Sequence, residues 1–148
     1  MATNENICYD MLMSTIFTKI INKEIPADII YEDELVLAFL DINPVFKGHA
    51  LVIPKKEFQN IFDGDPEYLS RMIVVAQKVA NALIAVTGAN GINLHMNNGH
   101  EAGQDVPHAH IHVIPRFHRD ETFHVPSHET YGEHESPELA AKIKAVIL

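Results

Sequence analysis

The chain has 148 residues, of which 47% are hydrophobic and 21% charged, and its formal net charge is −9. A length and composition of this kind are typical of one globular domain with a hydrophobic core, and the negative charge argues against binding to a nucleic-acid backbone. The single cysteine, Cys8, excludes an intrachain disulfide and a zinc site built from several thiolates.

The first ten residues contain acidic side chains but no basic segment ahead of an apolar block. They therefore predict no secretory signal, and no later segment approaches the length of a membrane span. We expect a flexible arm over residues 1–14 and a single domain over residues 15–148. We also expect a cytoplasmic or nuclear location without membrane association.

Apolar periodicity predicts a short helix at the start of the domain, capped by Ser14 or Thr15 and ended by Pro26. Three strands follow, and the first two form a hairpin around an acidic turn at 32–34. The predicted strands cover 29–31, 35–40 and 48–53.

Asp65, followed by proline, predicts the start of a long amphipathic helix, and Gly88 predicts its end. A fourth strand is expected at 91–97. Residues 117–135 are rich in His, Glu, Thr and Pro and predict a surface loop, after which Pro137 opens a final helix. Together these elements describe an α+β domain with an antiparallel sheet.

The segment 108–114 alternates polar and apolar residues over the length of a strand. Successive side chains of a strand point to opposite faces, so the histidines share one face and the apolar residues between them share the other. The two sets are His108, His110 and His112 on one face and Ala109, Ile111 and Val113 on the other. Imidazoles serve as nucleophiles, proton shuttles and metal ligands, which makes this row a candidate site.

A metal site is one interpretation of the histidine row. Residues i and i+4 on a strand lie roughly 13 Å apart, too far for both side chains to reach one zinc ion. Three ligands from the row are therefore disfavoured. Two of them could still join a carboxylate or another histidine, such as His49 or His95, on a metal.

Nucleophilic catalysis at phosphorus is the other interpretation. A neutral imidazole can attack a phosphoryl group to give a phospho-histidine intermediate, which water then opens. His110 suits this role because His108 and His112 flank it, and His112 can stabilise charge on the phosphate oxygens. A backbone carbonyl could fix the tautomer of His110, and Gly103 and Gln104 add hydrogen-bond donors in a flexible turn.

The segment 108–114 matches the His-φ-His-φ-His-φ-φ motif of the histidine triad (HIT) superfamily, in which φ is an apolar residue. Four further groups of residues resemble that superfamily in the same order along the chain. They are 16–21 with 25–26, 38–44, 48–49 with 51–55, and 102–104. The likeness runs from Thr15 to Arg116, roughly two thirds of the chain.

This resemblance implies a HIT-like fold, a five-stranded antiparallel sheet with a long amphipathic helix and short N- and C-terminal helices. It also implies a homodimer that cleaves or transfers a nucleoside monophosphate. By motif, His110 resembles the nucleotidylated nucleophile, His112 the contact to the α-phosphate and Gln104 a further phosphate contact. His49 and His108 resemble the supporting histidines that orient the site.

The substrate-binding residues are implied by the same resemblance. Asp41 resembles the carboxylate that holds the ribose hydroxyls, a role its two acceptor oxygens suit, and Asn97 resembles a polar contact near the phosphate. Gly103 and Asp105 flank Gln104 and complete the polar part of the set. The residues that resemble the apolar slot for the base are Ile42, Phe17, Ile20 and Phe39, the last three of which plain core packing would explain as well.

Two positions depart from the family pattern. Thr15 and Thr18 stand where many bacterial-type relatives carry a zinc-binding Cys-x-x-Cys pair, so neither a structural zinc nor another cofactor is expected. Asp105 stands where the phosphoramidase branch usually has serine or threonine. A carboxylate there could act through its backbone amide, or accept a proton from a protonated amine.

The sequence thus predicts a nucleotide-binding hydrolase that cleaves nucleoside 5'-phosphoramidates through a nucleotidyl-His110 intermediate, with adenosine as the expected nucleoside. Three alternatives stay open at this point. They are a dinucleoside polyphosphate hydrolase, a nucleotide-binding interaction module with little catalysis, and a metal enzyme.

Overall fold

The computed structural model of the chain describes residues 14–118, 120 and 127–147. The predicted arm lies outside this part except for its last residue, and so does part of the predicted surface loop at 117–135. The elements follow in the order α1 (Ile16–Ile21), β1 (Ile29–Glu32), β2 (Val36–Leu40), β3 (Ala50–Pro54), α2 (Pro66–Thr87), β4 (Gly91–His95), β5 (Ile111–Arg116) and α3 (Glu135–Val146). The five strands form one antiparallel sheet in the order β1-β2-β3-β5-β4, which confirms the predicted α+β fold.

The helix α2 covers one face of the sheet. Asp65 caps it by accepting a hydrogen bond from the backbone N–H of Glu67, and Gly88 ends it in the left-handed region at φ +71°, as the sequence predicts. The expectation that no segment approaches the length of a membrane span is wrong for this helix, because its length and hydropathy would allow one. One stripe of the helix nevertheless packs into the core against the sheet, and its buried residues are Met72, Val75, Ala76, Val79 and Leu83.

The short helix α1 lies on the opposite face, where Phe17 and Ile20 are buried against side chains of β2 and β3. Thr15, rather than Ser14, is its N-cap residue. The prediction that Pro26 ends this helix is wrong. The helix stops at Ile21 because Lys23 adopts a left-handed φ of +60°, and the following N–H groups return to carbonyls of the last turn.

The regular part of the histidine strand begins at Ile111, three residues later than predicted. The backbone N–H of Ala109 donates to the carbonyl of Phe58, and that of His108 to Val106, so this stretch pairs with a loop instead of the sheet. The predicted alternation of faces is nevertheless confirmed. Ala109, Ile111 and Val113 join the core under α2, while the histidine rings lie on the side of α1.

Three other predicted boundaries shift by two residues. The third strand begins at Ala50 instead of 48 because Gly48 has a φ of +100°, outside the range of a strand. The fourth strand ends at His95 instead of 97, where its pairing with His112 of β5 stops. The final helix begins at Glu135, and Pro137 lies within its first turn, where no backbone N–H is needed.

Candidate active site

A pocket of about 780 Å³ opens on the α1 side of the sheet. Its wall combines α1, the loop after β2, the segment before β5 and β5 itself. The sequence-predicted residues that line it are Phe17, Ile20, Phe39, Asp41, Ile42, His49, Asn97, Gly103, Asp105, His110 and His112. His108 and Gln104 lie behind this wall.

His110 presents one unprotonated ring nitrogen to the pocket. Its Nδ1 lies 2.7 Å from the backbone carbonyl oxygen of His108, and because a carbonyl only accepts, Nδ1 carries the proton. The neutral ring then has its lone pair on Nε2. The side chain is only 4% exposed, and the Phe17 ring packs edge-on against it at a centroid distance of 5.1 Å. The geometry therefore holds His110 as a nucleophile with a defined tautomer.

His112 is held in the opposite tautomer by a chain of hydrogen bonds. The backbone N–H of Val45 donates to His49 Nδ1 at 3.1 Å, so the proton of the neutral His49 ring lies on Nε2. That Nε2 is 2.9 Å from Nδ1 of His112, which must accept. The proton of neutral His112 therefore lies on Nε2. This arrangement gives the pocket a hydrogen-bond donor beside the nucleophile.

The pKa values of His49, His108 and His112 lie below the ordinary value of 6.5, so these three imidazoles are neutral near pH 7. Burial, together with the neighbouring His110 and His49, lowers the pKa of His112 from 6.5 to about 4. Burial also lowers the pKa of His49 and of His108, against the opposing effects of Asp41 on His49 and of the Pro54 carbonyl on His108. The site therefore acts through oriented N–H dipoles and lone pairs rather than through imidazolium charges.

Asp41 lies at the mouth of the pocket beside these rings. Its Oδ2 is 3.6 Å from His49 Nε2, and its Oδ1 accepts the backbone N–H of Asn43 at 2.8 Å. The loop that starts at Asp41 also carries Ile42, whose side chain is 92% exposed. A carboxylate with free lone pairs next to an exposed apolar side chain can receive a polar, hydroxyl-bearing ring.

Asp41, His49 and His112 lie close enough together to suggest a metal site, since their ligand atoms fall within 4.8 Å of one another. The hydrogen bonds argue against this use. The Val45 N–H already occupies Nδ1 of His49, so a metal at Nε2 would require either an imidazolate or the loss of that bond. The hydrogen bonds of this cluster therefore suit it to fixing the tautomers of His49 and His112 rather than to binding a cation.

His108 is fully buried and has both ring nitrogens engaged. Its Nε2 donates to the carbonyl of Pro54 at 2.9 Å, and its Nδ1 lies 3.1 Å from the hydroxyl of Thr15. The sequence did not point to Thr15 as a partner, because the two residues are 93 positions apart and their contact depends on how α1 docks.

Gln104 is bound to the protein through its whole amide. Nε2 donates to the carbonyls of Gln59 and Val106, at 2.6 and 3.0 Å, and Oε1 accepts from the backbone N–H of Gly99 at 2.8 Å. The side chain thus braces the loop that places Gly103 and Asp105 in the pocket wall. Its predicted contact to a phosphate stays a prediction.

The apolar slot belongs to the core and to the pocket at once. Phe17, Ile20 and Phe39 are at most 8% exposed, and the two phenyl rings pack edge to face with centroids 5.7 Å apart. The same three side chains line the pocket. Core packing and a binding surface for a flat ring are therefore compatible roles for these residues.

Thr15 and Thr18 do not fit a structural zinc ion. The Thr18 hydroxyl donates to the Glu57 carboxylate at 2.6 Å, and the Thr15 hydroxyl faces His108. Structural zinc sites are built from thiolates and imidazoles, and a neutral threonine hydroxyl already engaged in hydrogen bonds replaces neither.

Comparison with known proteins places these features in a family. The family model of the HIT domain matches residues 22–119. An "Uncharacterized HIT-like protein" of Borreliella burgdorferi is 50% identical over 71% of this chain and 77% of its own length. The Arabidopsis thaliana protein "Adenylylsulfatase HINT3" is 41% identical over 71% of this chain and 53% of its own length. A crystal structure of a HIT family protein from Bacillus anthracis superposes with a TM-score of 0.85 at 42% identity, covering 92% of this chain and 99% of that one.

The depressed pKa of His112 predicts a loss of stability in mild acid. The unfolded chain takes up a proton at this residue near pH 6.5, whereas the folded chain takes it up only near pH 4. The stabilising contribution is therefore complete above pH 6.5 and is lost as the pH falls toward 4. In urea unfolding between pH 4 and 7.5, His112→Asn should reduce the proton uptake on unfolding near pH 5 by about one proton.

His100→Asn is the matched control, because the His100 side chain is 96% exposed and should leave the pH dependence unchanged. If His112→Asn kept the wild-type slope of unfolding free energy against pH, the assignment of a neutral His112 in the folded state would be wrong.

Proposed function

Because the chain belongs to the HIT domain family, we propose that it hydrolyses nucleoside 5'-phosphoramidates through a nucleotidyl intermediate on His110. The observation that carries this proposal is the bond from His110 Nδ1 to the His108 carbonyl, which leaves Nε2 unprotonated in the pocket. A relative named as an adenylylsulfatase supports hydrolysis of a nucleotide, with adenosine as the proposed nucleoside.

The reaction would proceed in two displacements. Nε2 of His110 attacks the α-phosphorus, and the new N–P bond forms as the P–N bond to the amine breaks. The amine leaves with the electron pair of that bond and takes up one proton from solvent, which the attacking water gives back in the second step. Water then attacks the same phosphorus and releases the nucleoside monophosphate and the free imidazole. During both steps the Nε2–H of His112 donates to a non-bridging oxygen, where negative charge accumulates.

The binding groups of the pocket fit the two ends of a nucleoside monophosphate. Asp41 accepts the ribose hydroxyls, while Phe17 and Phe39 provide the apolar surface on one side of the base. Asn97 donates from its Nδ2 to the Gly103 carbonyl at 3.1 Å and so supports the wall next to the phosphate. These groups bring the α-phosphorus toward His110.

The charges in the pocket favour a substrate with a single negative charge. The described residues that line it include three carboxylates, Asp28, Asp41 and Asp105, but neither a lysine nor an arginine. A phosphoramidate carries one negative charge at its α-phosphate, whereas a dinucleoside polyphosphate or an adenylyl sulfate carries more. Like charges repel, and no lysine or arginine among the described lining residues compensates, so we rank the phosphoramidate first.

Replacement of the nucleophile tests the mechanism. His110→Ala should lower turnover of an adenosine 5'-phosphoramidate by roughly a thousandfold or more, because the ring nitrogen that forms the N–P bond is removed. Binding of AMP should persist, since its ribose and base contacts remain. Rapid quenching of the wild-type enzyme with labelled substrate should place the label on His110 by peptide mass spectrometry.

The exposed His100→Ala variant controls for the loss of an imidazole as such and should keep wild-type turnover. Activity of His110→Ala within a few-fold of wild type would contradict the covalent mechanism. Loss of wild-type activity with a chelator, and its return with zinc, would favour metal catalysis instead.

The charge argument predicts a substrate order. Adenosine 5'-phosphoramidate should have a higher kcat/KM than diadenosine polyphosphate or adenylyl sulfate in the same preparation, because the three carboxylates repel the more anionic substrates. Asp105→Asn should reduce the ratio of the two kcat/KM values by a few-fold, because it removes one charge whose repulsion is partly screened by solvent. Glu101→Gln is the control for the loss of a carboxylate as such, because Glu101 lies on an exposed turn and does not line the pocket. It should leave the substrate order unchanged. A preference for the polyphosphate would reverse the order.

We further propose that the protein is a homodimer joined along β4. This strand lies at the edge of the sheet, and in the described part of the chain no strand pairs with its outer side. Leu94 of β4 and Ile73 of α2, 42% and 50% exposed, lie together in an apolar groove beside that edge. Two copies related by a twofold axis would pair their β4 edges and bury both grooves.

A charge placed in the groove should separate the dimer. Leu94→Glu should convert a species of twice the chain mass into a monomer in light scattering coupled to size exclusion, because burying an unpaired carboxylate is costly. Val86→Glu, at a residue that is 84% exposed and outside the groove, is the control. A Leu94→Glu variant that stayed dimeric would contradict an interface at β4.

A further inference from the structure

Thr15 lies at the start of a hydrogen-bond chain that leads to the proposed nucleophile. Its hydroxyl oxygen is 3.1 Å from Nδ1 of His108 and 3.1 Å from the hydroxyl of Thr18. It also accepts the backbone N–H of Thr18 at 3.2 Å, as an N-cap residue does. The Thr18 hydroxyl in turn donates to the Glu57 carboxylate at 2.6 Å. These contacts link an exposed carboxylate to a fully buried imidazole through the two residues Thr18 and Thr15.

The protons of this chain can be assigned from the acceptors alone. The Pro54 carbonyl can only accept, so Nε2 of His108 carries the proton of the neutral ring and Nδ1 must accept. The Thr15 hydroxyl is therefore the donor to Nδ1. The Thr18 hydroxyl donates its proton to the Glu57 carboxylate, which can only accept. Both hydroxyl protons are then used, so the 3.1 Å contact between the two hydroxyl oxygens holds no hydrogen bond. The link between the two residues is the backbone N–H of Thr18, which donates to the Thr15 hydroxyl oxygen.

His108 connects this chain to the site. Its ring is fixed at both nitrogens, and its backbone carbonyl, two residues before the nucleophile, accepts the proton of His110 Nδ1 at 2.7 Å. The helix that Thr15 caps also carries Phe17, whose ring packs against both His108 and His110 at centroid distances of 5.8 and 5.1 Å. Thr15 thus touches neither substrate nor pocket, yet both of its connections end at His110.

A six-residue helix is too short to be stable by itself, so its position depends on such tertiary contacts. The apolar contacts of α1 have no preferred direction, whereas a hydrogen bond to one ring nitrogen specifies a single register of the helix on the sheet. Loss of the hydroxyl would also leave Nδ1 of His108 buried without a donor. The ring would then be held at Nε2 alone, by the Pro54 carbonyl, and would lose one of the two contacts that fix it and the backbone next to His110.

We propose that Thr15 is a positioning residue, whose hydroxyl locks His108 and thereby holds His110 in the tautomer and orientation needed to attack phosphorus. The chemical part of this statement rests on the proposed function, in which His110 is the nucleophile. The structural part, the tautomer of His110, does not depend on any substrate.

Thr15→Val removes the hydroxyl while keeping the shape of the side chain, and Thr15→Ser keeps the hydroxyl. Single-turnover formation of nucleotidyl-His110 should slow by about tenfold or more in Thr15→Val, because a small misplacement of the reacting atoms is costly. Thr15→Ser should restore the rate to within about twofold of wild type, and AMP affinity should change by less than about threefold in both.

Thr87→Val is the matched control. Its hydroxyl is partly buried and makes two local hydrogen bonds, to the carbonyl of Leu83 and from the N–H of Ala89, at the far end of α2. The Thr87→Val substitution therefore removes a threonine hydroxyl without changing any contact of His108. The rate of nucleotidylation in Thr87→Val should equal that of wild type.

Imidazole ¹⁵N spectra of the protein without substrate test the structural part. Wild type should carry the proton of His110 on Nδ1 and that of His108 on Nε2, and Thr15→Val should spread His110 over both tautomers. A proton on Nδ1 of wild-type His108 would overturn the proposal without any variant. So would a Thr15→Val rate within twofold of wild type, or a slower rate with an unchanged His110 tautomer, which would assign Thr15 to packing alone.

These readouts separate the two proposals. If wild type turned over none of the nucleotides, or if no label reached His110, the proposed function would fail. The tautomer spectra would still decide whether Thr15 positions His110.

Discussion

The 2.7 Å hydrogen bond from His110 Nδ1 to the carbonyl oxygen of His108 is the interaction on which the rest of the site depends. Through this bond the backbone determines the reactivity of His110, because the position of one proton decides which ring nitrogen can attack. The bond exists only because residues 108–110 leave the sheet ladder, which frees the carbonyl of His108 from a neighbouring strand. If the strand were regular from His108 onward, the three rings would still share one face, but the His108 carbonyl would not fix the tautomer of His110.

The surrounding histidines work as neutral groups. Burial and mutual proximity lower the pKa values of His49, His108 and His112, so their contribution comes from where each proton lies. The Val45 N–H sets the tautomer of His49, and His49 in turn sets that of His112. The result is a donor and a lone pair on adjacent rings, with ring centroids 4.9 Å apart. A neutral constellation of this kind in an acidic pocket lacks the attraction that a cluster of cations would exert on a polyanion.

The sheet separates stability from chemistry. Its α2 face carries the larger apolar cluster, in which residues such as Val36, Val52 and Val75 are fully buried. Its α1 face is thinner and is covered by a helix of only six residues. Because successive residues of a strand point to opposite faces, each histidine of the triad is anchored by an apolar neighbour in the α2 core. The site thus rests on rigid packing, although its own cover is held by a few polar contacts.

The sequence by itself determined the fold class, the α2 helix from its cap to its glycine, and the division of the histidine segment between two faces, since these follow from local periodicity and capping chemistry. Together with the family motifs it also pointed to His49, His110, His112 and Asp41, which the structure brings to one pocket. Only the tertiary structure decided which ring nitrogen carries each proton, because the partners are a backbone N–H at Val45, a carbonyl at Pro54 and a hydroxyl at Thr15. These groups have no signature in sequence: every residue has a carbonyl, and Thr15 meets His108 across 93 positions through packing alone.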